Sequence, residues 1–444
     1  MTSDGATAAL CRRLVEQRML GVPDEVVATA RSVVLDGLGC LVAGLNEPPS
    51  VRAREQVAET SRTPEASAVG LDRLTDTAAA AFVNGVTMHS LDFEAVGTPA
   101  CHGTSSVLPA LLALAERDGL SGAEVVTAFV LGWEVECRLR TAGELRDAFH
   151  PTAVHGPIAA AAAAGLLVGL DAVALEHAIA IAASSCGGLA ANGRSEVKAL
   201  HAGNAARTGV QSADLARKGL HGSVGILERS GGFGDAFFAQ VDWAGLLDNW
   251  GEKYFLRDDA VNFKPYPVQF PMINVVDTVL DARSAVVAAS AVGELRLVVP
   301  TKVISRSNPH PHSGHAGKFS PEYCAAVALV LGEVGIEAFT DEAIADPRVR
   351  DIMMRTSLTE AAPGTSGVTV EVVGQDGTIL GKAARLHQRG SRQAPLRPDE
   401  LHEKVRRCLR AAGAEAIGDE LVAVVGRFET ADHVTALMAL LRFS

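Results

Sequence analysis

Residues 84–109 read Asn84-Gly85-Val86-Thr87-Met88-His89-Ser90-Leu91-Asp92-Phe93-Glu94-Ala95-Val96-Gly97-Thr98-Pro99-Ala100-Cys101-His102-Gly103-Thr104-Ser105-Ser106-Val107-Leu108-Pro109. An apolar, Ala-rich run from Thr75 to Met88 has the character of a helix and delivers His89 and Asp92 to its end. They stand three residues apart, which predicts that both lie on one helical face. The Gly/Pro-bearing loop that follows presents His102. A second helix is expected to start at Thr104 or Ser105, because either hydroxyl can accept an N–H of the first turn. A carboxylate and a histidine are thus held on a short loop between two apolar helices, and loops fixed by a rigid scaffold are where chemistry concentrates. Asp92 and His102 can divide base and acid duties if their surroundings push their pKa values apart.

Outward from this stretch, the chain has the composition of a large globular protein. Its 444 residues suffice for two domains, and 48% apolar with 21% charged residues excludes disorder. A net charge of -12 argues against a nucleic-acid partner. Seven cysteines without CxxC spacing read as free thiols in a reducing compartment, so a cytoplasmic location is expected. The polar segment Met1 to Arg12 does not have the form of a signal peptide. The longest uncharged stretch, Thr152 to Leu170, is rich in Ala and Gly and is expected to be a buried helix. A membrane span needs about 20 strongly apolar residues.

Residues 1–265 read almost wholly helical. Helices are expected from Pro23 to about Leu45, Ser121 to Arg140, Pro151 to Val168, Val173 to Ser185 and Leu200 to Lys218. Ser121 and Glu124 form a capping-box pattern. Residues 46–72 read as a looser connection with a short helix. Beyond residue 265 the pattern changes: Leu295 to Ile304 is a strand candidate and Pro321 to Val334 a helix. Val368 to Val373 and Thr378 to Lys382 form a hairpin around Gln375-Asp376-Gly377. Helices return at Pro398 to Ala412 and Ala431 to Leu441. The expected architecture is mainly α, with a large helical domain (1–265, completed by 398–444) and a smaller lid-like α+β domain (266–397).

Four further blocks carry reactive residues. Phe149-His150-Pro151-Thr152-Ala153-Val154-His155-Gly156 places His150 at a helix N-terminus, where the positive dipole end favours neutral imidazole and a base role. Val197-Lys198-Ala199-Leu200-His201-Ala202-Gly203-Asn204-Ala205-Ala206 sets Lys198 before a helix too apolar for a free ammonium. Phe263-Lys264-Pro265-Tyr266-Pro267-Val268-Gln269 is stiffened by prolines on both sides of Tyr266 and crosses from one domain to the other. A cleft between domains is a favoured place for a small-ligand site. Lys318-Phe319-Ser320-Pro321-Glu322-Tyr323-Cys324 brings a tyrosine. No dinucleotide fingerprint, Walker loop, HExxH or G-x-S-x-G is present.

In this order the blocks resemble the MmgE/PrpD family, which includes 2-methylcitrate dehydratases, cis-aconitate decarboxylases and iminodisuccinate epimerases. The patterns are similar to N-G-x-x-x-H-x-x-D-F-D-D-T, H-P-S, F-H-P-T-x-x-H-G, K-x-L-H-x-G-x-A-A, K-P-Y-P and K-F-S-x-x-Y, and the likeness spans roughly residues 20–410. The resemblance implies a homodimeric enzyme without metal or organic cofactor. It implies catalytic residues Asp92, His102, His150 and Tyr323, and substrate contacts from Lys198, Lys264, His201 and Gln269. On this resemblance two lysines would clamp carboxylates of a small di- or tricarboxylate, and a protonated His102 would stabilise the carbanion formed next to one of them. It also implies that Asp92 and His150 handle protons, with base and acid unassigned between them and Tyr323 as a candidate acid. The reaction class is a dehydratase or decarboxylase; an isomerase or epimerase using the same proton abstraction is the alternative.

The sequence departs from the family in three places, one of them His102-Gly103-Thr104 where the family has H-P-S. Glu94-Ala95-Val96 stands where the family tends to have Asp-Asp-Thr, and Gln269 and Ile273 stand where dehydratase and decarboxylase relatives carry Cys or His and His. These changes alter the acid/base equipment and point away from a housekeeping 2-methylcitrate dehydratase. A separate cluster, His310, His312 and His315, is weighed as a metal loop against a merely His-rich turn, and the turn is preferred.

Overall fold

The computed structural model describes residues 5–257, 260–286 and 289–442. It divides into two compact units, Met1–Asn262 with Leu401–Ser444, and Phe263–Glu400. The protein is mainly α-helical, with the sheet of any size confined to the smaller unit.

In the first unit, local chemistry marks the helix starts. Thr77–His89 begins at Asp76, whose carboxylate accepts the Ala79 N–H at 2.9 Å. Gly122–Thr141 begins at Ser121 with the full capping box to Glu124. Pro151–Leu167 opens on a proline whose missing N–H costs nothing there. Its residues from Thr152 to Leu167 are all buried, so it runs through the middle of the bundle. Thr77–His89, Pro151–Leu167 and Val197–Arg217 pack closely because small residues meet. A Cβ added to Gly85 would lie 2.9 Å from the Gly203 Cα, and one added to Gly209 would lie 2.6 Å from the Ala160 Cβ. The stretch Asp24–Asn46 is long and apolar enough to cross a membrane by length and composition, yet its apolar window is 78% buried inside the protein.

Some expectations need correction here. The first unit is not wholly helical: Ala66–Ser67 pairs with Leu74–Thr75, Val96–Gly97 with Val261–Asn262, and Gly143–Leu145 with Phe238–Val241. The connection at 46–72 contains a 13-residue helix, Pro48–Thr60. Near the end, Gly418–Gly426 is an unanticipated helix and the last one is only Thr435–Leu440.

The second unit holds a four-stranded sheet in the order Ile379–Arg385, Val368–Gly374, Val292–Val299, Thr356–Glu360. The first three strands are antiparallel, and Val292–Val299 runs parallel to Thr356–Glu360. The helices Pro321–Leu331 and Pro347–Met354 lie in the crossover that a parallel pair requires. The strand expected to reach Ile304 stops at Val299, because Pro300 has no N–H for the ladder and Thr301–Ile304 turns helical. Leu295, Leu297, Val299, Val368, Val370 and Val372 face a core shared with Ile273–Arg283 and Pro321–Leu331.

Candidate active site

The helix that carries His89 ends there, and Asp92 follows in a left-handed conformation with φ 50. The two therefore do not share a helical face as their spacing suggests. An Asp tolerates this conformation better than most residues because its short polar side chain bonds locally. The turn directs Asp92 toward the start of the Val197–Arg217 helix, where Lys198 Nζ lies 2.5 Å from Asp92 Oδ2 with both side chains under 10% exposed.

The residue that organises the loop is Glu94, fully buried. Its Oε1 lies 2.5 Å from His89 Nδ1 and 2.9 Å from His102 Nδ1, and accepts the Ser105 hydroxyl at 2.9 Å. The His89 and His102 rings meet edge to face at 4.5 Å. Glu136 accepts the His102 N–H at 3.1 Å and the Ser106 hydroxyl at 2.7 Å. The next helix begins at Gly103 with His102 in the cap position, one or two residues before the expected start. The hydroxyls of Ser105 and Ser106 are turned to the two glutamates and to the His102 carbonyl, so they do not cap.

The loop is also held from behind. Lys404 Nζ donates to the Phe93 carbonyl at 2.8 Å and pairs with Asp36 Oδ1 at 2.6 Å; Asp36 Oδ2 accepts the Ala95 N–H at 2.7 Å. Both charged side chains are almost completely buried.

His150 sits in the cap position of Pro151–Leu167, its N–H bonded to the Gly188 carbonyl at 2.8 Å. Its Nδ1 lies 3.1 Å from Nδ1 of His201, which stands one turn beyond Lys198 on the same helix. One proton serves that contact. The structure thus brings five of the anticipated residues into one unit, in three contact pairs or clusters: Asp92 with Lys198, His102 with Glu94, and His150 with His201.

Burial sets the charge state of the histidines. It lowers His150 to about 2, helped by the Lys198 ammonium and His201. It lowers His102 to about 4, helped by His89 against the opposing pull of Glu94. His201 falls to about 4 by burial, His89 and Lys198. His102, His150 and His201 therefore favour the neutral form, in contrast to the protonated His102 that the resemblance implies. Burial alone would raise the Glu94 carboxyl, but His89 and His102 together hold it well below the usual carboxylate range. Burial raises Glu136 to about 7.

The ligand-type atoms of His89, Asp92, Glu94 and His102 lie within 4.8 Å of one another, close enough for a divalent ion. Their present partners are hydrogen bonds and an ammonium: Glu94 Oε1 takes both Nδ1 groups and a hydroxyl, and Asp92 faces Lys198. These side chains thus already have partners within the chain. This is the one such grouping among the described residues, and His310, His312 and His315 do not form another.

Three anticipated residues belong to the second unit. Lys264 is buried. Gln269 accepts the Arg306 Nε–H at 2.6 Å through its side-chain oxygen. Tyr323 is fully buried, donates its hydroxyl to the Ala338 carbonyl at 2.7 Å and meets Phe339 edge to face. Its proton is engaged and burial raises its pKa, so it has the place of a core tyrosine and not of an acid.

Glu136, Asp36 and Lys404 are not singled out by sequence pattern, His89 is placed by it without a role, and Glu94 stands out there only as a departure from the family. A signal existed for Lys404, which falls on the apolar stripe Leu401, Val405, Cys408, Leu409 of the Pro398–Ala411 helix. A lysine on such a stripe requires a buried partner.

The comparison with known proteins agrees with this architecture. The MmgE/PrpD N-terminal domain profile matches residues 8–245 and the MmgE/PrpD C-terminal domain profile residues 266–426. The chain belongs to the MmgE/PrpD family and is a lyase-type enzyme of it. It is 31% identical over 388 residues to human cis-aconitate decarboxylase, covering 82% of this chain and 79% of that protein. It is 29% identical over 442 residues to the mouse cis-aconitate decarboxylase, covering 94% and 90%. A cis-aconitate decarboxylase-like protein of Aspergillus oryzae is 26% identical over 468 aligned positions.

Proposed function

We propose that this chain is a cofactor-independent lyase acting on a small di- or tricarboxylate, with decarboxylation of cis-aconitate or a near analogue as the favoured reaction. The observation that carries this is the Lys198 ammonium, held by Asp92 at the edge of a cluster of buried imidazoles. A substrate carboxylate takes the ammonium as its counter-ion. When the C–C bond to a second carboxylate breaks, CO2 leaves and the electron pair spreads into the retained carboxylate. A fixed ammonium stabilises that charge most in a dry site. An imidazolium then delivers a proton to carbon, which completes the product. Burial favours the neutral form of His102 and His150, and a polyanionic substrate beside them favours their protonation. Dehydration would use the same groups, a base taking the proton and an acid assisting hydroxide.

Val96 offers only methyl groups where the family tends to have threonine, so alkyl-substituted analogues belong in the test beside cis-aconitate. Proton NMR in D2O with cis-aconitate, citrate, methylcitrate, iminodisuccinate and alkylsuccinates decides. Loss of CO2 or a new alkene signal, abolished in Lys198→Ala, supports the lyase. Deuterium wash-in without net product turns the reading into an isomerase. Failure with every compound, indistinguishable from Lys198→Ala, sinks it.

A further inference from the structure

We infer that Glu94 is a positioning residue that fixes the proton of His102 on Nδ1 and leaves its Nε2 bare to exchange protons with the substrate. The inference rests on the lyase reading only for what the bare nitrogen does; the tautomer itself follows from the contacts.

An ionised carboxylate has lone pairs and no proton to give, so each nitrogen at hydrogen-bond distance from it must be a donor. Glu94 Oε1 has two such nitrogens, His89 Nδ1 at 2.5 Å and His102 Nδ1 at 2.9 Å, and the Ser105 hydroxyl as a third donor. The low pKa of the Glu94 carboxyl keeps it in the accepting form. A neutral imidazole carries one N–H, so an Nδ1 donor has its lone pair on Nε2.

The two rings are not equivalent. The His89 and Glu94 side chains are wholly buried, while the His102 side chain is 15% exposed. His102 is therefore the ring of this cluster with access to a ligand, and His89 lies behind it as a second donor. When His102 Nε2 takes a proton, the imidazolium already has its counter-ion on the opposite nitrogen. No further group has to move. This is the arrangement in which a buried carboxylate sets the tautomer of a catalytic histidine and steadies its charged form without itself being protonated. The backbone fixes the other coordinate, because the His102 N–H is tied to Glu136 at 3.1 Å.

The test is a two-bond 1H–15N correlation spectrum of histidine-labelled protein without substrate, with His102 assigned by His102→Gln. The native spectrum should show His102 protonated at Nδ1 and bare at Nε2. In Glu94→Gln the charged acceptor is lost, and the pattern should move toward the Nε2–H form that free imidazole prefers. Glu94→Asp keeps the charge and should keep the native pattern. With a substrate in hand, Glu94→Gln should lose roughly 100-fold or more in kcat with little change in KM, and Glu94→Asp should recover part of it. A native His102 protonated at Nε2 overturns the inference, and so does an unchanged tautomer in Glu94→Gln whatever its activity. If Glu94→Gln does not fold, the native and Glu94→Asp spectra decide alone. Because the spectra need no substrate, a failed lyase reading leaves this result standing, and the reverse also holds.

Discussion

Lys198 Nζ lies 2.5 Å from Asp92 Oδ2, so the first turn of one helix is tied to a loop residue held at φ 50. Replacing Lys198 by Met removes the nearest cation from a buried carboxylate and should cost about 3–5 kcal/mol of stability, read by urea denaturation. The double variant Lys198→Met, Asp92→Asn should regain much of that, since Asn also tolerates the left-handed conformation. Neither should regain turnover. Equal stability of the single and double variants would contradict this.

Substrate binding should take up protons. His102 and His150 are lowered to about 4 and about 2, so near neutral pH both enter the complex uncharged. A polyanionic ligand beside them raises their pKa values, so the complex holds more protons than its separated parts. Calorimetric titration of an unreactive tricarboxylate, repeated in buffers of different ionisation enthalpy, should show net uptake near pH 6.5. Zero uptake or release would contradict it.

His155 gives a prediction on stability alone. It is buried on the Pro151–Leu167 helix, and burial, aided by Arg140, lowers it to about 3. Its folded pKa lies below the unfolded value, so the unfolded chain binds the extra proton. The contribution is complete above pH 6.5 and is lost as pH falls from 6.5 toward 3. His155→Leu should flatten the loss of unfolding free energy across this window by about 1.4 kcal/mol per pH unit. Urea midpoints at pH 7, 6 and 5 measure the slope, which does not depend on the packing cost of the substitution.

Lys404 should behave as a part of the site it never touches. Lys404→Met removes the donor to the Phe93 carbonyl and leaves the buried Asp36 carboxylate without its cation. The expected result is a loss of about 3–5 kcal/mol, with kcat falling more than KM rises at temperatures where the variant stays folded. Unchanged kcat in the folded variant would show that the loop keeps its geometry without this support.

What the sequence discloses depends on how local the cause is. The box at Ser121 and Glu124 marks the start of Gly122–Thr141 because both groups act within one turn. The hairpin around Gly377 is legible for the same reason, since φ 84 at that position favours glycine. The loop from Ser90 to His102 is less legible. Spacing places His89 and Asp92 on a common face, but the chain leaves the helix between them, and no local pattern predicts that departure. Glu94 reads only as a deviation from the family pattern; the fold makes it the acceptor for imidazoles from both ends of the loop. Tyr323 shows the converse, a residue whose motif is right and whose hydroxyl is already engaged by the Ala338 carbonyl.

The Lys404 contact has a temporal consequence. It joins positions 311 residues apart, and the whole second unit is encoded between them. As the chain leaves the ribosome, Asp36, Phe93 and Ala95 are made early, and the ammonium that locks them is made only after everything through Glu400. A nascent chain stopped at that point already carries Asp92, Glu94, His102, His150 and Lys198, yet lacks the lock on the loop that presents the first three. Synthesis thus withholds this lock on the site until the Pro398–Ala411 helix has been made.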